Sequence, residues 1–160
     1  MTSPPGPSII HHANISLSAA QTALAACQSA ALSLGVSMNI AIVDSSLYLL
    51  AFARMPGAKL TSIDIAINKA FTAAGHREGT HTYREKATVS GAPMVGVHQS
   101  NGGRFTTIGG GLPIVVMGQV VGAVGCSTGT PAQDQQVAQA GVDAVLRVVE
   151  VESGKVKAKL

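Results

Sequence analysis

Three adjacent glycines lead directly into an apolar run near the end of this chain. Residues 109–116 read GGGLPIVV, and residues 122–129 form a second apolar segment interrupted by glycine, GAVGCSTG. Glycine is favoured where the backbone takes a positive φ or where another group must approach it closely. A plain loop would carry polar residues beside its glycines. These glycines are instead joined to two apolar strands, which predicts a shaped pocket or a tight interface.

The composition predicts one domain that associates with copies of itself. A chain of 160 residues is long enough for one domain with a sizeable core. Charged residues make up 12% of it, against about 25% in an ordinary soluble domain. With so few charges to cover the outside, part of the apolar surface is expected to face another subunit. We therefore expect a homo-oligomer.

Several classes of protein are disfavoured by the composition. No apolar run reaches the ~20 residues of a membrane helix, so no membrane partner is expected. The net charge of +3 comes largely from residues 155–159, without a basic stripe interleaved with aromatic residues. Nucleic-acid binding is therefore not expected. Two cysteines do not make a disulfide framework, and residues 1–7 lack the pattern of a secretory signal, so a cytoplasmic location is predicted.

The pattern of apolar residues, caps and turns predicts the elements in order. Helix signals are an apolar periodicity near 3.6, a serine before the run and a glycine or proline at its ends. The predicted helices are 19–34 (after Ser18), 62–75, a short one within 80–86, and 132–149. The predicted strands are 36–44, 47–54, 104–108, 112–117 and 119–127, with an irregular glycine-rich connection over 87–103.

Strands that follow one another through tight turns indicate an antiparallel sheet. The order therefore predicts an α+β fold, a five-stranded antiparallel sheet flanked by helices that gather on one face or at its ends. One domain is expected over residues 15–150. A flexible tail is expected over 1–14 and a basic tail over 151–160.

Three stretches of the chain form a pattern of their own: DIAINKA at 64–70, the glycine block at 109–114, and the segment 122–134. In these stretches the chain resembles the GlcG/HbpS family, a haem-degrading-like domain also found at the C-terminus of one type of corrinoid adenosyltransferase. The resemblance spans about residues 15–150. It implies a profilin-like or PAS-like shape, higher oligomers, and haem or another flat small molecule as ligand. Two features depart from the family: helix 19–34 has no histidine, and Cys126 and Thr128 stand where Val and Gly are usual.

Lys69 lies within the first of these stretches, on or beside the apolar face of helix 62–75. Burial disfavours an ammonium group unless a carboxylate or another oxygen pairs with it. One interpretation is an anchor for a ligand anion or carbonyl, or a base of lowered pKa. The other is a lysine that extends its head to solvent or binds strand carbonyls.

The triple glycine, Gly109 to Gly111, has two interpretations as well. Its backbone N–H groups could hold a carboxylate or phosphate, or the glycines could let strands or subunits approach. The motif matches neither a P-loop nor a dinucleotide fingerprint. Two arginines are candidates to act beside it. Arg54 ends a strand and could bind a ligand carboxylate, and Arg104 stands at the mouth of the glycine loop.

Three histidines follow the second helix. His76 and His81 could converge as an acid/base pair or as metal ligands, but their spacing matches no known metal motif, and no metal site is predicted. His98 is a third candidate for binding. His11 and His12 lie in the expected flexible tail.

Cys126 is a further candidate for ligand binding. It stands late in a strand, where a cysteine is either a small core residue or a nucleophile.

Two functions are consistent with these features. The first is a small-molecule-binding domain for haem or another tetrapyrrole, as the resemblance implies. The second is a cofactor-independent enzyme of the isomerase, lyase or cyclase type. It would act on a small carbonyl- or carboxylate-bearing metabolite in a pocket formed by the triple-glycine loop and Lys69. In that enzyme Lys69 is the electrostatic anchor, and His76, His81 or Arg104 completes the acid/base set.

Overall fold

A computed structural model describes residues 6–154, which form four α-helices and four β-strands. The parts of the expected tails at 1–5 and 155–160 lie outside the described residues. Short 3₁₀ segments occur at Thr80–Thr82 and Val97–Gly103. In chain order the elements are α1 (Leu17–Ser33), β1 (Asn39–Asp44), β2 (Leu49–Arg54), α2 (Ser62–His76), α3 (Tyr83–Thr88), β3 (Gly111–Val116), β4 (Gln119–Ser127) and α4 (Pro131–Glu152).

The four strands form one antiparallel sheet in the order β2-β1-β4-β3. Strands β1 and β2 make the predicted hairpin, and β3 and β4 make a second one around Gly118. Strand β4 occupies the predicted residues, 119–127, and is buried along most of its length because elements cover both of its faces. The α+β class and the antiparallel sheet are therefore confirmed.

The predicted fifth strand at 104–108 does not form. Its backbone bonds to α2 instead of to a neighbouring strand: the Thr106 N–H donates to Thr72 Oγ1 at 3.0 Å, and the Thr72 hydroxyl contacts the Arg104 carbonyl at 3.3 Å. Phe105 is buried against the rings of His76 and Tyr83. Thr72 thereby takes two backbone groups that a strand would use for pairing with the sheet. The profilin-like or PAS-like shape stays a prediction.

Helices cover both faces of the sheet, so the expectation of helices on one face or at the ends is wrong. Helices α1 and α4 pack together on one face, over Ile40, Ile42 and Val124. Helix α2 packs on the other face, over Ala41, Val43 and Ala123. A second layer is possible because the residues between α2 and the sheet are small.

A glycine of β4 allows this close approach of α2. A Cβ on Gly125 would lie only 2.5 Å from the backbone nitrogen of Ala70 and would also overlap the carbonyl oxygen of Ala66. No backbone shift of a few tenths of an ångström relieves such an overlap. The expectation that glycines in this region serve close packing is confirmed at this position.

The two long outer helices begin at side-chain caps. The Ala19 N–H donates to Ser16 Oγ at 3.1 Å, so the cap of α1 lies two residues before the predicted cap at Ser18. Helix α4 begins at Pro131, one residue before the predicted start, after a capping box formed by Thr130 and Gln133. Among the described helices, none combines the length and the hydropathy that a membrane-spanning segment requires.

Candidate functional site

A buried ion pair joins α2 to the start of α4. Lys69 is 1% exposed, and its Nζ donates to Asp134 Oδ2 at 2.7 Å and to the carbonyl oxygen of Cys126 at 2.9 Å. The second carboxylate oxygen of Asp134 accepts the Gly129 N–H at 2.9 Å. One cluster of charge-assisted hydrogen bonds therefore connects α2, the end of β4 and the first turn of α4.

The electrostatics of this pair reflect its burial. Removal from water raises the pKa of the Asp134 carboxyl, and the ammonium group of Lys69 opposes that rise. Part of each interpretation of Lys69 applies. Its ammonium group pairs with a carboxylate and also binds a strand carbonyl, and both partners belong to its own chain. Lys69 does not line the cleft that contains Gly109 and His81. A role in binding a ligand directly stays a prediction that this geometry does not favour.

Gly110, the middle residue of the triple glycine, lies directly beside the ion pair. Gly110 has φ +118°, and a Cβ there would lie 2.6 Å from Asp134 Cβ and 2.9 Å from Lys69 Nζ. Its carbonyl accepts the Cys126 N–H at 2.9 Å. The Gly111 N–H donates to Thr80 Oγ1 at 3.0 Å, so it is bonded within the chain. At Gly110 the absence of a side chain is therefore required for packing.

A cleft of about 670 Å³ lies on the other side of this loop. It is bounded by the start of α4, the α3 region and the segment before β3. Two predicted candidates meet there, since a Cβ on Gly109 would lie 3.3 Å from Cβ of His81. The lining residues are His81, Arg84, Thr88, Thr107, Ile108, Gly109, Pro131, Ala132 and Gln135.

His76 lies elsewhere, so the predicted His76–His81 pair is not brought together in this cleft. The His76 ring stacks edge-on against Tyr83 and Phe105, with centroid distances of 5.1 and 4.8 Å. The Tyr83 hydroxyl donates to Glu78 Oε2 at 2.7 Å. Burial, aided by this carboxylate, raises the pKa of Tyr83 to about 12. Within residues 6–154, no three His, Cys, Asp or Glu side chains form a group suited to a metal ion.

Three basic candidates are dispersed outside the cleft. The guanidinium of Arg104 lies 3.8 Å from the ring centroid of Phe71, and its Nε–H donates to Asn68 Oδ1 at 3.4 Å. Arg54 is exposed at the end of β2, and His98 is exposed in the 3₁₀ segment after residue 96. The described geometry does not connect them with Gly109.

Cys126 faces the core beside Cys27 and is fully buried. Burial raises the pKa of its thiol well above the usual range, which suppresses the reactive thiolate. Its position matches the interpretation as a core residue.

Sequence reasoning missed two residues of this region. Asp134 stands in the first turn of α4, where the helix dipole favours any acid, and its position alone does not reveal that it is 2% exposed and carries the ion pair. Arg84 was not considered, although it lines the cleft. The signal for Arg84 was its position three residues after His81, a spacing that places two side chains on one side of a helical turn.

The comparisons with known proteins identify the family. A family model described as "Haem degrading protein HbpS-like" matches residues 15–143. The chain belongs to the HbpS-like family. The match includes the ion pair, the triple glycine and every residue of the cleft, and it confirms the resemblance seen in the sequence.

Relatives within the HbpS-like family include proteins of different lengths. An uncharacterized 15.0 kDa protein from the dhaT-dhaS intergenic region of Citrobacter freundii is 40% identical over 131 residues, 82% of this chain and 92% of the relative. The corrinoid adenosyltransferase PduO of Citrobacter freundii is 33% identical over 70% of this chain. That match spans only 33% of the length of PduO.

Two solved structures have the same HbpS-like fold. Klebsiella pneumoniae ORFY superposes with a TM-score of 0.86 at 34% identity, covering 89% of this chain and 98% of that one. The PduOC:Heme complex superposes with a TM-score of 0.78 at 30% identity, covering 82% of this chain and 94% of that one.

Proposed function

We propose that this chain is a haem-binding domain and that haem binds in the cleft beside His81. The observation that carries the proposal is a cleft of small-molecule size with a histidine on its wall, in a chain of the HbpS-like family. A solved relative, PduOC, forms a complex with haem. The complex of this relative supports haem as the ligand, and the cleft beside His81 supports the place where haem binds.

The residues of the cleft are suited to haem in size and chemistry. Small-molecule sites occupy about 300–1,000 Å³, and this cleft has about 670 Å³. Apolar contact surface comes from Ile108, Pro131 and Ala132. His81 is the histidine of the cleft, and imidazole is a common axial ligand of haem iron. When bound, haem supplies an iron centre that can take a small ligand or exchange electrons.

His81 is held in place by the backbone beneath it. A Cβ on Gly79 would lie 2.5 Å from Cε1 and 2.7 Å from Nδ1 of His81, so the imidazole rests directly on this glycine. The Thr80 hydroxyl, which donates to the Ile108 carbonyl at 2.7 Å, ties the same turn to the opposite segment. These contacts place the imidazole against the turn at Gly79.

Titration with haemin tests the proposal. We expect a saturable change of the Soret band for the wild-type protein and for the control His98→Ala, whose histidine is exposed outside the cleft. His81→Ala is expected to weaken haemin binding at least about tenfold, because an axial ligand is lost. Unchanged affinity in His81→Ala, or no saturable binding by the wild-type protein, would contradict the proposal.

The cofactor-independent enzyme has no specific observation in its favour. Its proposed anchor, Lys69, already binds Asp134 and Cys126, and its acid/base candidates do not share one cleft with it. We also propose self-association, which the exposed edge strand β2, with Leu49 47% exposed, supports. Sedimentation velocity tests it: a single monomeric species at micromolar concentration contradicts it. The cytoplasmic location stays a prediction.

A further inference from the structure

We infer that the cleft selects ligands that carry a free carboxylate, and that Arg84 is the residue that recognises it. This inference rests on the proposed function and deepens it. The proposed function concerns the iron ligand His81, whereas the inference concerns the acidic edge of the ligand, which haem carries as two propionates.

The charges that line the cleft have one sign. Of the ionisable side chains that line it, Arg84 is basic and His81 can become so, and none is an aspartate or glutamate. Within the described part of the chain, no carboxylate lies within 4.0 Å of the Arg84 guanidinium. The planar guanidinium therefore keeps its donors for another partner, and a carboxylate matches their geometry in a bidentate arrangement.

The start of α4 strengthens this preference. Pro131 and Ala132 line the same cleft at the positive end of a helix of 22 residues. A carboxylate in the first turn, Asp134, would ordinarily oppose an approaching anion. Here the ammonium group of Lys69 neutralises it at 2.7 Å and both are buried. The buried ion pair thus preserves the positive character of the cleft.

The apolar residues that line the cleft indicate the chemistry of the rest of the ligand. Ile108 is 47% exposed although it is a large apolar residue, and with Pro131 it offers apolar contact surface in the same cleft as Arg84. A ligand that satisfies both features has an apolar body and a carboxylate at its edge. A purely apolar ligand would leave the guanidinium desolvated and unpaired, which is unfavourable.

Two probes separate carboxylate recognition from iron ligation. Haemin carries iron and two carboxylates, whereas metal-free protoporphyrin IX carries only the carboxylates, and its own fluorescence reports binding. Arg84→Gln is expected to weaken the binding of both probes about tenfold, and Arg84→Lys by less, because a lysine keeps the charge but loses the fork. His81→Ala is expected to weaken haemin binding alone. Arg147→Gln, an exposed arginine of α4 outside the cleft, is the control, and circular dichroism checks the fold of each variant.

The outcomes distinguish the two proposals. If His81→Ala loses haemin but Arg84→Gln binds both probes like the wild-type protein, the inference is wrong and the proposed function stands. If Arg84→Gln weakens both probes while His81→Ala leaves haemin binding unchanged, the inference stands and His81 is not the iron ligand. If the wild-type protein binds neither probe, both are wrong.

Discussion

Lys69 and Asp134 form an ion pair inside the protein, with 2.7 Å between Nζ and Oδ2 and side chains that are 1% and 3% exposed. The two residues lie on different helices, α2 and α4, and the backbone of Gly110 passes directly beside both. The pair therefore joins α2 to α4 behind one wall of the cleft. Its geometry leads to predictions about stability, and the cleft to one about binding.

Removing one charge of the pair is expected to destabilise the fold strongly. Lys69→Met leaves the Asp134 carboxylate buried without its cation, and breaking such pairs costs about 3–5 kcal/mol. The double variant Lys69→Met/Asp134→Leu removes both charges and is expected to be more stable than Lys69→Met alone. Urea denaturation followed by circular dichroism measures both. A loss below about 1 kcal/mol in Lys69→Met would mean that the pair is not buried as described.

Gly110 is expected to be much less tolerant of a side chain than Gly102. Gly110→Ala places a Cβ 2.6 Å from Asp134 Cβ and 2.8 Å from the Cys126 carbonyl oxygen, at φ +118°. Strain and overpacking together should cost on the order of 3 kcal/mol or more. Gly102 also has a positive φ, +66°, but open space around it, so Gly102→Ala should cost only about 1–2 kcal/mol. Equal losses of unfolding free energy in the two variants would refute this difference.

Gly109→Ala is expected to impair binding in the cleft while leaving the fold intact. The added methyl group would lie 3.3 Å from Cβ of His81 and 3.4 Å from Oε1 of Gln135, contacts that small shifts can relieve. It would occupy space within the cleft, so we expect haemin affinity to fall about tenfold. The control is Gly75→Ala, where the added Cβ would meet only Leu47 at 3.4 Å, outside the cleft. If both variants bind haemin equally well, the ligand does not reach Gly109.

Tyr83 is expected to titrate with a pKa of about 12, against an ordinary value of 10.0. Burial and the Glu78 carboxylate both disfavour the phenolate. The chain has two tyrosines, so absorbance at the phenolate band in Tyr48→Phe reports on Tyr83 alone. Adding Glu78→Gln removes the carboxylate and should lower the pKa of Tyr83. An unchanged titration curve after that substitution would show that Glu78 does not act on Tyr83.

The raised pKa of Tyr83 also predicts how the free energy of unfolding depends on pH. Because the folded pKa of Tyr83 lies above the unfolded one, its contribution to stability is present below pH 10 and is lost as the pH rises toward about 12. The free energy of unfolding should therefore fall over this interval. The fall should be smaller in Glu78→Gln, which urea titrations at a series of pH values can measure.

The helices and the two hairpins could be predicted because their signals are local. Strand β4 has the predicted residues, and α4 begins within one residue of the predicted start at 132. The segment 104–108 was wrongly predicted as a strand because its apolar residues suit one. Its backbone partner, Thr72, lies more than 30 residues earlier in the chain. No local pattern reports a competing partner at that distance.

For the candidate site, the sequence identified the glycines and Lys69 as unusual but did not identify their partners. Asp134 has the local position of a helix-capping acid, and only its proximity to a lysine 65 residues away gives it a different role. His81 was among several equal candidates until the fold placed it beside Gly109 and Arg84. His76, equally plausible by its spacing, instead joins an aromatic cluster.

The sequence by itself indicated the family, through the resemblance of three stretches to it. It also determined the order of the four helices and of the four strands that form. That order follows from caps, periodicity and turns, which act over a few residues. Only the tertiary structure decided that Lys69 is satisfied within the chain and that Arg84 has no carboxylate beside it among residues 6–154. The physical reason is that the partner of a charged side chain depends on which elements pack against it. Here packing brings together α2, α3, β4 and α4, which lie far apart in the sequence.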